Sequence, residues 1–281
     1  MDIGLTLSNA HLSLWPELAQ RGEAAGFESV WIPEHLVVPV ASTGSPKHGE
    51  EHPPVPSNIP ILDPMATLAH LAARTSRIKL GTQVYNIGLR HPFVTARGAA
   101  TVDVLSDGRL LLGIGASWLR AEWEATGLDF DTRGPRVDET IEICRALWSE
   151  EEVEHHGRFF DFGPTAFEPK PVQQPIPLHM GGDGPAALRR AATVGAGWIP
   201  MNHSLEQLPA SISRLRELTD AQGRSDVVEV TVTGHSVTAI GDLERYAEAG
   251  VTRVVVRPWS RSREALDGVD RFGDEVLSRR P

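Results

Sequence analysis

A short glycine-rich run is the first candidate for a ligand site in this chain. The sequence GGDG at 181–184 stands directly before a predicted helix at 185–194. Glycines expose backbone N–H groups, and a helix amino terminus adds partial positive charge, so this run suits a bound phosphate group. The alternative is that the run only forms the tight turn between a strand and a helix. The sequence GIG at 113–115 is open to the same two interpretations.

Several other common chemistries lack the side chains they need. A metal hydrolase needs clustered histidine and carboxylate ligands, but the pair His155-His156 is typical of an exposed surface. A glycosidase needs two carboxyl groups about 5 Å apart, and the stretches 113–118 and 233–235 contain no acid. No lysine is placed for a Schiff base. We therefore expect a phosphorylated aromatic cofactor that supplies its own reactivity, and no metal.

The elements that position these residues alternate between strand and helix along the whole chain. Such alternation predicts a parallel sheet, and eight strand–helix units in about 280 residues are typical of a (β/α)8 TIM barrel. A doubly wound open sheet is the alternative, but it normally uses fewer strands. The predicted strands are 2–8, 29–33, 77–84, 109–115, 176–181, 197–201, 227–233 and 251–257.

Two segments depart from this alternation within a single domain spanning 1–281. A long proline-rich loop at 34–62 follows the second strand, and its length suggests a lid over the barrel mouth. An excursion at 150–175 separates the fourth helix from the fifth strand. The fourth helix carries a single apolar stripe on which Cys144 is predicted to be a core residue.

Composition excludes several classes of protein. The chain is 41% hydrophobic and 23% charged, which is ordinary for a soluble globular protein. A net charge of −10 argues against a nucleic-acid or anionic-membrane partner. The single cysteine and the acidic amino terminus favour a cytoplasmic location without a secretory signal. Arginine supplies 24 of the 27 cations, a bias typical of a GC-rich genome.

Short motifs in a fixed order resemble those of the bacterial luciferase-like flavin and deazaflavin oxidoreductases. Each is weak alone, but together they extend over nearly the whole chain. The chain is most similar to the branch that uses coenzyme F420, a phosphorylated 5-deazaflavin common in GC-rich actinobacteria. The motifs are VWIPEH at 30–35, RIKLGT at 77–82, RHPF at 90–93, LSDGR at 105–109, LGIGASWLR at 112–120, RGPRVDE at 133–139, MGG at 180–182 and GAGW at 195–198.

This resemblance implies a site at the barrel mouth. The deazaflavin would lie across the mouth, with its ring against a bulge of the third strand that contains a non-proline cis peptide near Gln83-Val84. His35 matches the histidine that lies close to the deazaflavin and is the expected catalytic residue, polarising the ring or donating a proton. The implied cofactor-binding residues are Gln83, Val84, Asn86, Gly115, Ala116, Gly181, Gly182, Asp183 and Gly184, and the expected substrate pocket contains His11, Trp118, Trp198 and Asn202.

One departure from the resemblance bears on the substrate. Trp118 stands near the position where sugar-phosphate dehydrogenases of the family carry a glutamate, which argues against a sugar phosphate. Glu122 is expected to have a structural role, such as pairing with an arginine of its loop. Tryptophans at 15, 118, 198 and 259 suggest an apolar pocket, and hence an apolar organic substrate. His91 is expected to cap a helix or line the wall, and Arg133 with Glu139 to brace a loop against a helix.

Three functions remain open at this stage. The first is hydride transfer between coenzyme F420 and a small organic molecule. The second is an FMN-dependent monooxygenase that uses O2, since the same phosphate loop serves both cofactors. The third is a non-catalytic barrel that only binds the cofactor. The sequence leaves the oligomeric state open, although relatives often pair two barrels through helices 2 and 3, which allows a homodimer.

Overall fold

A computed structural model describes residues 1–40, 56, 58–234 and 237–279. Eight parallel strands close into a barrel, which confirms the predicted (β/α)8 TIM barrel and excludes the doubly wound sheet. All the strands of the described residues, in chain order, are β1 Asp2–Thr6, β2 Ser29–Ile32, β3 Lys79–Thr82, β4 Tyr85–Asn86, β5 Leu110–Gly115, β6 Glu152–His156, β7 Asp161–Ala166, β8 Leu178–Gly181, β9 Gly197–Ile199, β10 Glu229–Gly234 and β11 Arg253–Val256. Of these, β4 is a short strand that pairs with β5, and β6 and β7 form a separate two-stranded sheet. The barrel order is β1-β2-β3-β5-β8-β9-β10-β11, and β11 pairs with β1 to close it.

Helices pack around the outside of this barrel. They are α1 Trp15–Ala25, α2 Pro64–Ala72, α3 Pro92–Leu105, α4 Arg120–Ala125, α5 Arg133–Ser149, α6 Pro185–Val194, α7 Leu208–Ala221, α8 Ile240–Glu248 and α9 Ala265–Glu275. His91 caps α3 by accepting the backbone N–H of Phe93 at 3.2 Å, as expected. Cys144 is buried on α5, and burial raises the pKa of its thiol, as a core residue requires. Among the described residues no helix combines the length and apolar character needed to cross a bilayer.

Three details differ from the sequence prediction. The third strand is not continuous, because β3 ends at Thr82 and a cis peptide between Gln83 and Val84 separates it from β4. The excursion at 150–175 contains an antiparallel hairpin of β6 and β7. The loop before α5 contains the short helix α4, which the sequence prediction missed. In the proline-rich loop, residues 41–55 and 57 lie outside the described part of the chain, so the lid remains a prediction.

The barrel interior is filled in layers by side chains from alternate strand positions. Trp31, Leu111, Ile199 and Val255 form an apolar layer across the middle. Trp31 is the largest of these, and its neighbours on β1 and β3 are glycines because a Cβ at either position would come within 2.7 Å of the indole ring. This layer separates a polar cluster at the amino ends of the strands from the barrel mouth at their carboxyl ends.

Candidate active site

A histidine–carboxylate pair stands at the carboxyl end of β2. The Nδ1 atom of His35 lies 3.3 Å from Oε2 of Glu122. The same carboxylate accepts the hydroxyl of Ser117 at 2.8 Å and the backbone N–H of Leu36 at 2.6 Å. A carboxylate only accepts hydrogen bonds, so Nδ1 of His35 carries the hydrogen and Nε2 is the atom left for chemistry.

Glu122 is fully buried on the first turn of α4. Burial alone would raise the pKa of its carboxyl, but the hydrogen bonds from His35, Ser117 and Leu36 outweigh burial and lower that pKa. The expected pairing of Glu122 with an arginine is therefore wrong, since Arg120 pairs with Asp131 instead. Sequence reasoning missed this role, although Glu122 shares a helix face with two residues that prove to be buried, Leu119 and Trp123.

A second buried carboxylate supports the bulge formed by Gln83 and Val84. Glu34 pairs with Arg90 and also accepts the backbone N–H of Asn86 at 2.5 Å. Burial raises the pKa of Glu34, and the charge of Arg90 opposes that effect. Asn86 is itself only 4% exposed, so its side chain lies behind the bulge. The ion pair thus holds the start of β4 in place beside the mouth.

The half-buried side chain of Val84, in the bulge, faces the barrel mouth. A Cβ added at Gly115 or at Gly181 would come within 2.7 Å of a methyl carbon of Val84, so both positions must be glycine for Val84 to take its place. Gln83 donates from its side-chain nitrogen to the Thr233 hydroxyl at 2.8 Å, which ties the bulge to β10 across the mouth. The cis peptide expected near Gln83-Val84 is confirmed.

The glycine loop, residues 181–184, leads from β8 into α6. Among the described residues, the backbone N–H groups of Asp183 and Gly184 find no acceptor. Among the described residues no side chain caps α6, and apart from the chain neighbours of Gly184 no atom lies within 4 Å of the place where a Cβ at that position would stand. Gly182 has a φ of +123°, which only glycine adopts readily. Free N–H groups at a helix amino terminus fit a phosphate group.

Asp183 uses its side chain within the protein rather than toward the mouth. Its carboxylate accepts the backbone N–H of Met201 at 2.7 Å and the side-chain amide of Asn202 at 2.8 Å. It also lies 3.0 Å from Nδ1 of His203. Asp183 therefore binds the loop after β9 through its side chain, and only its backbone N–H is open to a ligand. Asn202 is held in the same cluster.

The expected substrate-pocket residues fall into two groups. Trp118 packs edge-on against the His35 ring at a centroid distance of 6.0 Å, so it lies beside the reactive histidine. Trp198 is fully buried and donates to the carbonyl of Gly182 at 2.8 Å, which corrects its assignment from the pocket to support of the glycine loop. Trp15 and Trp259 are also buried. His11 is exposed at the end of the first strand and accepts the backbone N–H of Ser13.

Two further expectations concern the excursion and need correction. Glu139 braces α5 against the β6–β7 hairpin by accepting backbone N–H groups of Phe159 and Phe160, whereas Arg133 donates to the carbonyl of Phe130. Arg133 and Glu139 therefore do not brace the same loop against the helix. His156 is exposed as expected, but His155 is mostly buried and lies 3.2 Å from Glu139.

The mouth therefore combines a phosphate-compatible loop, an apolar surface and a histidine. The glycines beside Val84 leave a flat surface on which a planar ring system could rest, since no side chain projects from them. Gly184 and its free N–H group lie at the carboxyl end of the same sheet. These features fit a phosphorylated planar cofactor with one group for proton transfer beside it.

Comparison with known proteins agrees with this geometry. An uncharacterized protein of Mycobacterium tuberculosis is 33% identical over 259 residues, covering 91% of each chain. An F420-dependent glucose-6-phosphate dehydrogenase of Kineococcus radiotolerans is 32% identical over 221 residues, covering 75% of this chain and 59% of that one.

Two solved structures share the fold. An F420-dependent secondary alcohol dehydrogenase in complex with an F420-acetone adduct matches with a TM-score of 0.79 at 19% identity, covering 100% and 99% of the two chains. The monooxygenase RslO1 from Streptomyces bottropensis matches with a TM-score of 0.78 at 22% identity, covering 99% of each chain. The family model described as luciferase-like monooxygenase matches residues 4–276. The chain belongs to the luciferase-like monooxygenase family and is an oxidoreductase.

Proposed function

We propose that this chain is a coenzyme F420-dependent oxidoreductase that transfers a hydride between C5 of the deazaflavin and an organic substrate with an apolar body. The observation that carries the proposal is the His35–Glu122 pair beside a glycine-lined, phosphate-compatible mouth. The similarity to F420-dependent dehydrogenases supports the choice of cofactor.

The glycine loop and the bulge bind different parts of the coenzyme. The free N–H groups of Asp183 and Gly184, with the positive end of α6, bind the phosphate of the coenzyme. Val84 would contact the ring with its apolar side chain, and the contact between Gln83 and Thr233 keeps the bulge in position. When bound, the coenzyme supplies the hydride-accepting or hydride-donating carbon.

His35 holds and moves the proton that accompanies the hydride. Glu122 fixes Nδ1 as a donor, so Nε2 of His35 is the atom that gives a proton to the substrate or takes one from it. Ser117 and the backbone N–H of Leu36 keep the carboxylate ionised and in place. Trp118, edge-on to the imidazole, limits the rotation of the ring and supplies an apolar wall for the substrate.

The second candidate function is an FMN-dependent monooxygenase. The fold shared with the monooxygenase RslO1 supports it, and free N–H groups at a helix terminus bind the phosphate of FMN equally well. The two functions differ in the reaction of the reduced cofactor with O2, because a deazaflavin lacks N5 and reacts poorly with O2. Cofactor identity therefore decides between them.

A fluorescence titration of the purified apo-protein with coenzyme F420 and, separately, with FMN tests the proposal. Tight binding of the deazaflavin with negligible binding of FMN is the expected result. Preference for FMN would replace the proposal with the monooxygenase and call for oxygen-uptake assays. Binding of the deazaflavin without turnover of any organic acceptor would indicate a cofactor-binding barrel instead.

A further inference from the structure

Arg257 lies at the barrel mouth, one residue beyond the carboxyl end of β11. Along this strand Arg253 and Val255 project into the barrel, while Val254 and Val256 pack in the core outside it. Side chains alternate along a strand, so position 257 again faces the interior, now above the apolar middle layer. The mouth therefore receives a cation from β11.

The described part of the chain supplies no partner for this cation. Among the described residues, no carboxylate pairs with Arg257, and its Nε atom is buried without a hydrogen bond. Two residues further on, the Nε1 atom of Trp259 is also buried without an acceptor. By contrast, the other interior arginines are paired: Arg90 with Glu34, and Arg253 with Glu28 and Glu229. A buried donor without an acceptor is costly, so the buried Nε atom at the barrel mouth makes Arg257 a candidate to bind an acceptor that a ligand supplies.

The position of Arg257 separates it from the phosphate-binding loop. Only β1 lies between β11 and β2, the strand that carries His35. Both β9 and β10 lie between β11 and β8, the strand that leads into the glycine loop. An anion bound by Arg257 is therefore on the His35 side of the mouth, where the substrate must be for proton transfer at Nε2.

We propose that Arg257 binds an anionic group, of the carboxylate class, on the organic substrate. The inference rests on the proposed function, because it assigns the charged end of the molecule that accepts or donates the hydride. A guanidinium presents a planar fork of donors that matches a carboxylate with two parallel hydrogen bonds. The apolar wall of Trp118 and Val84 contacts the remainder, so the substrate class is an organic acid with an apolar or conjugated body.

Paired probes test this proposal on the coenzyme-loaded protein. Benzoate is compared with benzamide, and cinnamate with cinnamamide, by isothermal titration or saturation-transfer NMR. Each pair has nearly the same shape and differs in charge. We expect the carboxylates to bind about 10- to 100-fold more tightly than the amides. Equal binding within each pair, or binding of neither member, would overturn the inference.

Substitutions test whether Arg257 causes the preference for carboxylates over amides. Arg257→Gln should abolish the preference for carboxylates, whereas Arg257→Lys, which keeps the charge, should retain part of it. Arg214→Gln is the matched control, because it removes the same charge from an exposed side chain on α7 and should leave the preference intact. Loss of the preference in Arg214→Gln as well would indicate a general charge effect and overturn the assignment.

The coenzyme titration separates this inference from the proposed function. If coenzyme F420 does not bind the wild-type protein, the proposed function fails. If it binds and the carboxylates show no preference, only the inference fails. Arg257→Gln should bind coenzyme F420 as tightly as wild type, and a tenfold or greater loss would show that Arg257 contacts an anionic group of the coenzyme instead.

Discussion

The two ends of the barrel interior contain similar residues in opposite states. At the amino ends of the strands, Arg253 is 1% exposed and is paired with Glu28 and Glu229. Four residues further along the chain, just beyond the carboxyl end of this strand, Arg257 has no partner among the described residues. At the amino ends of the strands, the closed end, the buried cation Arg253 is paired within the protein, whereas at the carboxyl ends, the open end, the Nε atom of Arg257 finds no acceptor in the described part of the chain. In a (β/α)8 barrel, the first condition serves stability and the second serves binding and catalysis.

The histidines of the two ends differ in the opposite sense, because the one at the closed end makes no hydrogen bond with the described residues and the one at the open end is paired. His179, on β8, is 1% exposed, and neither ring nitrogen has a hydrogen-bond partner in the described part of the chain. Burial, reinforced by the charge of Arg253, lowers the pKa of His179 to about 3 and keeps it neutral. His35 at the mouth is oriented by a carboxylate, and its Nε2 atom makes no hydrogen bond with the described residues. Substitutions at the mouth should therefore change the rate of hydride transfer, whereas substitutions at the amino ends of the strands should change the free energy of unfolding.

The largest effect is expected at the open end, for His35→Ala. Loss of the proton-carrying Nε2 should slow hydride transfer about 10²- to 10⁴-fold, the usual range for general acid–base groups. Affinity for the coenzyme should be unchanged, because the glycine loop and Val84 are untouched. Stopped-flow spectroscopy of the deazaflavin measures the rate, and His156→Ala, on the exposed hairpin, is the control. An unchanged rate would reduce His35 to a wall residue.

The next effect tests the closed end through Arg253→Met. Removal of the guanidinium leaves Glu28 and Glu229 without their main partner, and we expect a loss of unfolding free energy on the order of 3 kcal/mol. This is the low end for a buried pair, because the side chain of Glu229 is 39% exposed. Arg257→Met should change stability by less than about 0.5 kcal/mol, since it breaks no ion pair. Urea denaturation of both variants measures the difference, and equal losses would remove the distinction between the two ends.

A third prediction concerns acid stability at the closed end. His179 is neutral in the folded protein and has a pKa near 6.5 when unfolded, so the unfolded chain binds the extra proton between pH 6.5 and 3. The stability contributed by the neutral ring is therefore complete above pH 6.5 and falls as the pH falls toward 3. The charged neighbours Arg253, Lys79, Glu28 and Glu229 all face this ring.

Between pH 6.5 and pH 4 the loss attributable to His179 is expected to be about 2–3 kcal/mol. His179→Asn cannot titrate and should show a flatter dependence of unfolding free energy on pH over this range. Urea denaturation at several pH values measures both slopes. His156→Ala serves as the control, because its imidazole is exposed. Parallel curves for wild type and His179→Asn would contradict the prediction.

The alternation of strand and helix was sufficient to predict the barrel, because each strand buries an apolar face against the helix that follows it. The glycine loop was also visible, since free N–H groups need only local sequence. The partner of His35 was not visible. Glu122 lies 87 residues away, and only the closure of the barrel brings α4 against the end of β2.

Burial decided the remaining differences. Trp198 was expected in the substrate pocket. Its position on the strand faces the helices instead, so its ring is buried and its N–H donates to the carbonyl of Gly182. Asp183 was expected to bind the cofactor as part of the run 181–184, and its side chain proves to be held by the loop after β9, which leaves only its backbone N–H for a ligand. The position of Arg257 could have been predicted from the sequence, because the alternation of side chains from Arg253 onward already places it in the mouth. Its lack of a partner needed the structure.

The smallest of the predicted effects returns to the open end, at Glu122→Gln. The amide keeps the shape of the side chain but removes the charge that fixes the hydrogen on Nδ1 of His35. We expect a loss of about tenfold in the rate of hydride transfer, because His35 is still present but less often in the required tautomer. The coenzyme dissociation constant should not change, whereas kcat should fall more than KM rises. Glu122→Asp, which keeps the charge, should recover part of the rate. If Glu122→Gln weakens coenzyme binding and leaves kcat intact, Glu122 supports the shape of the mouth rather than the orientation of His35. The hydrogen bonds around His35 would then not be what prepares the mouth for catalysis.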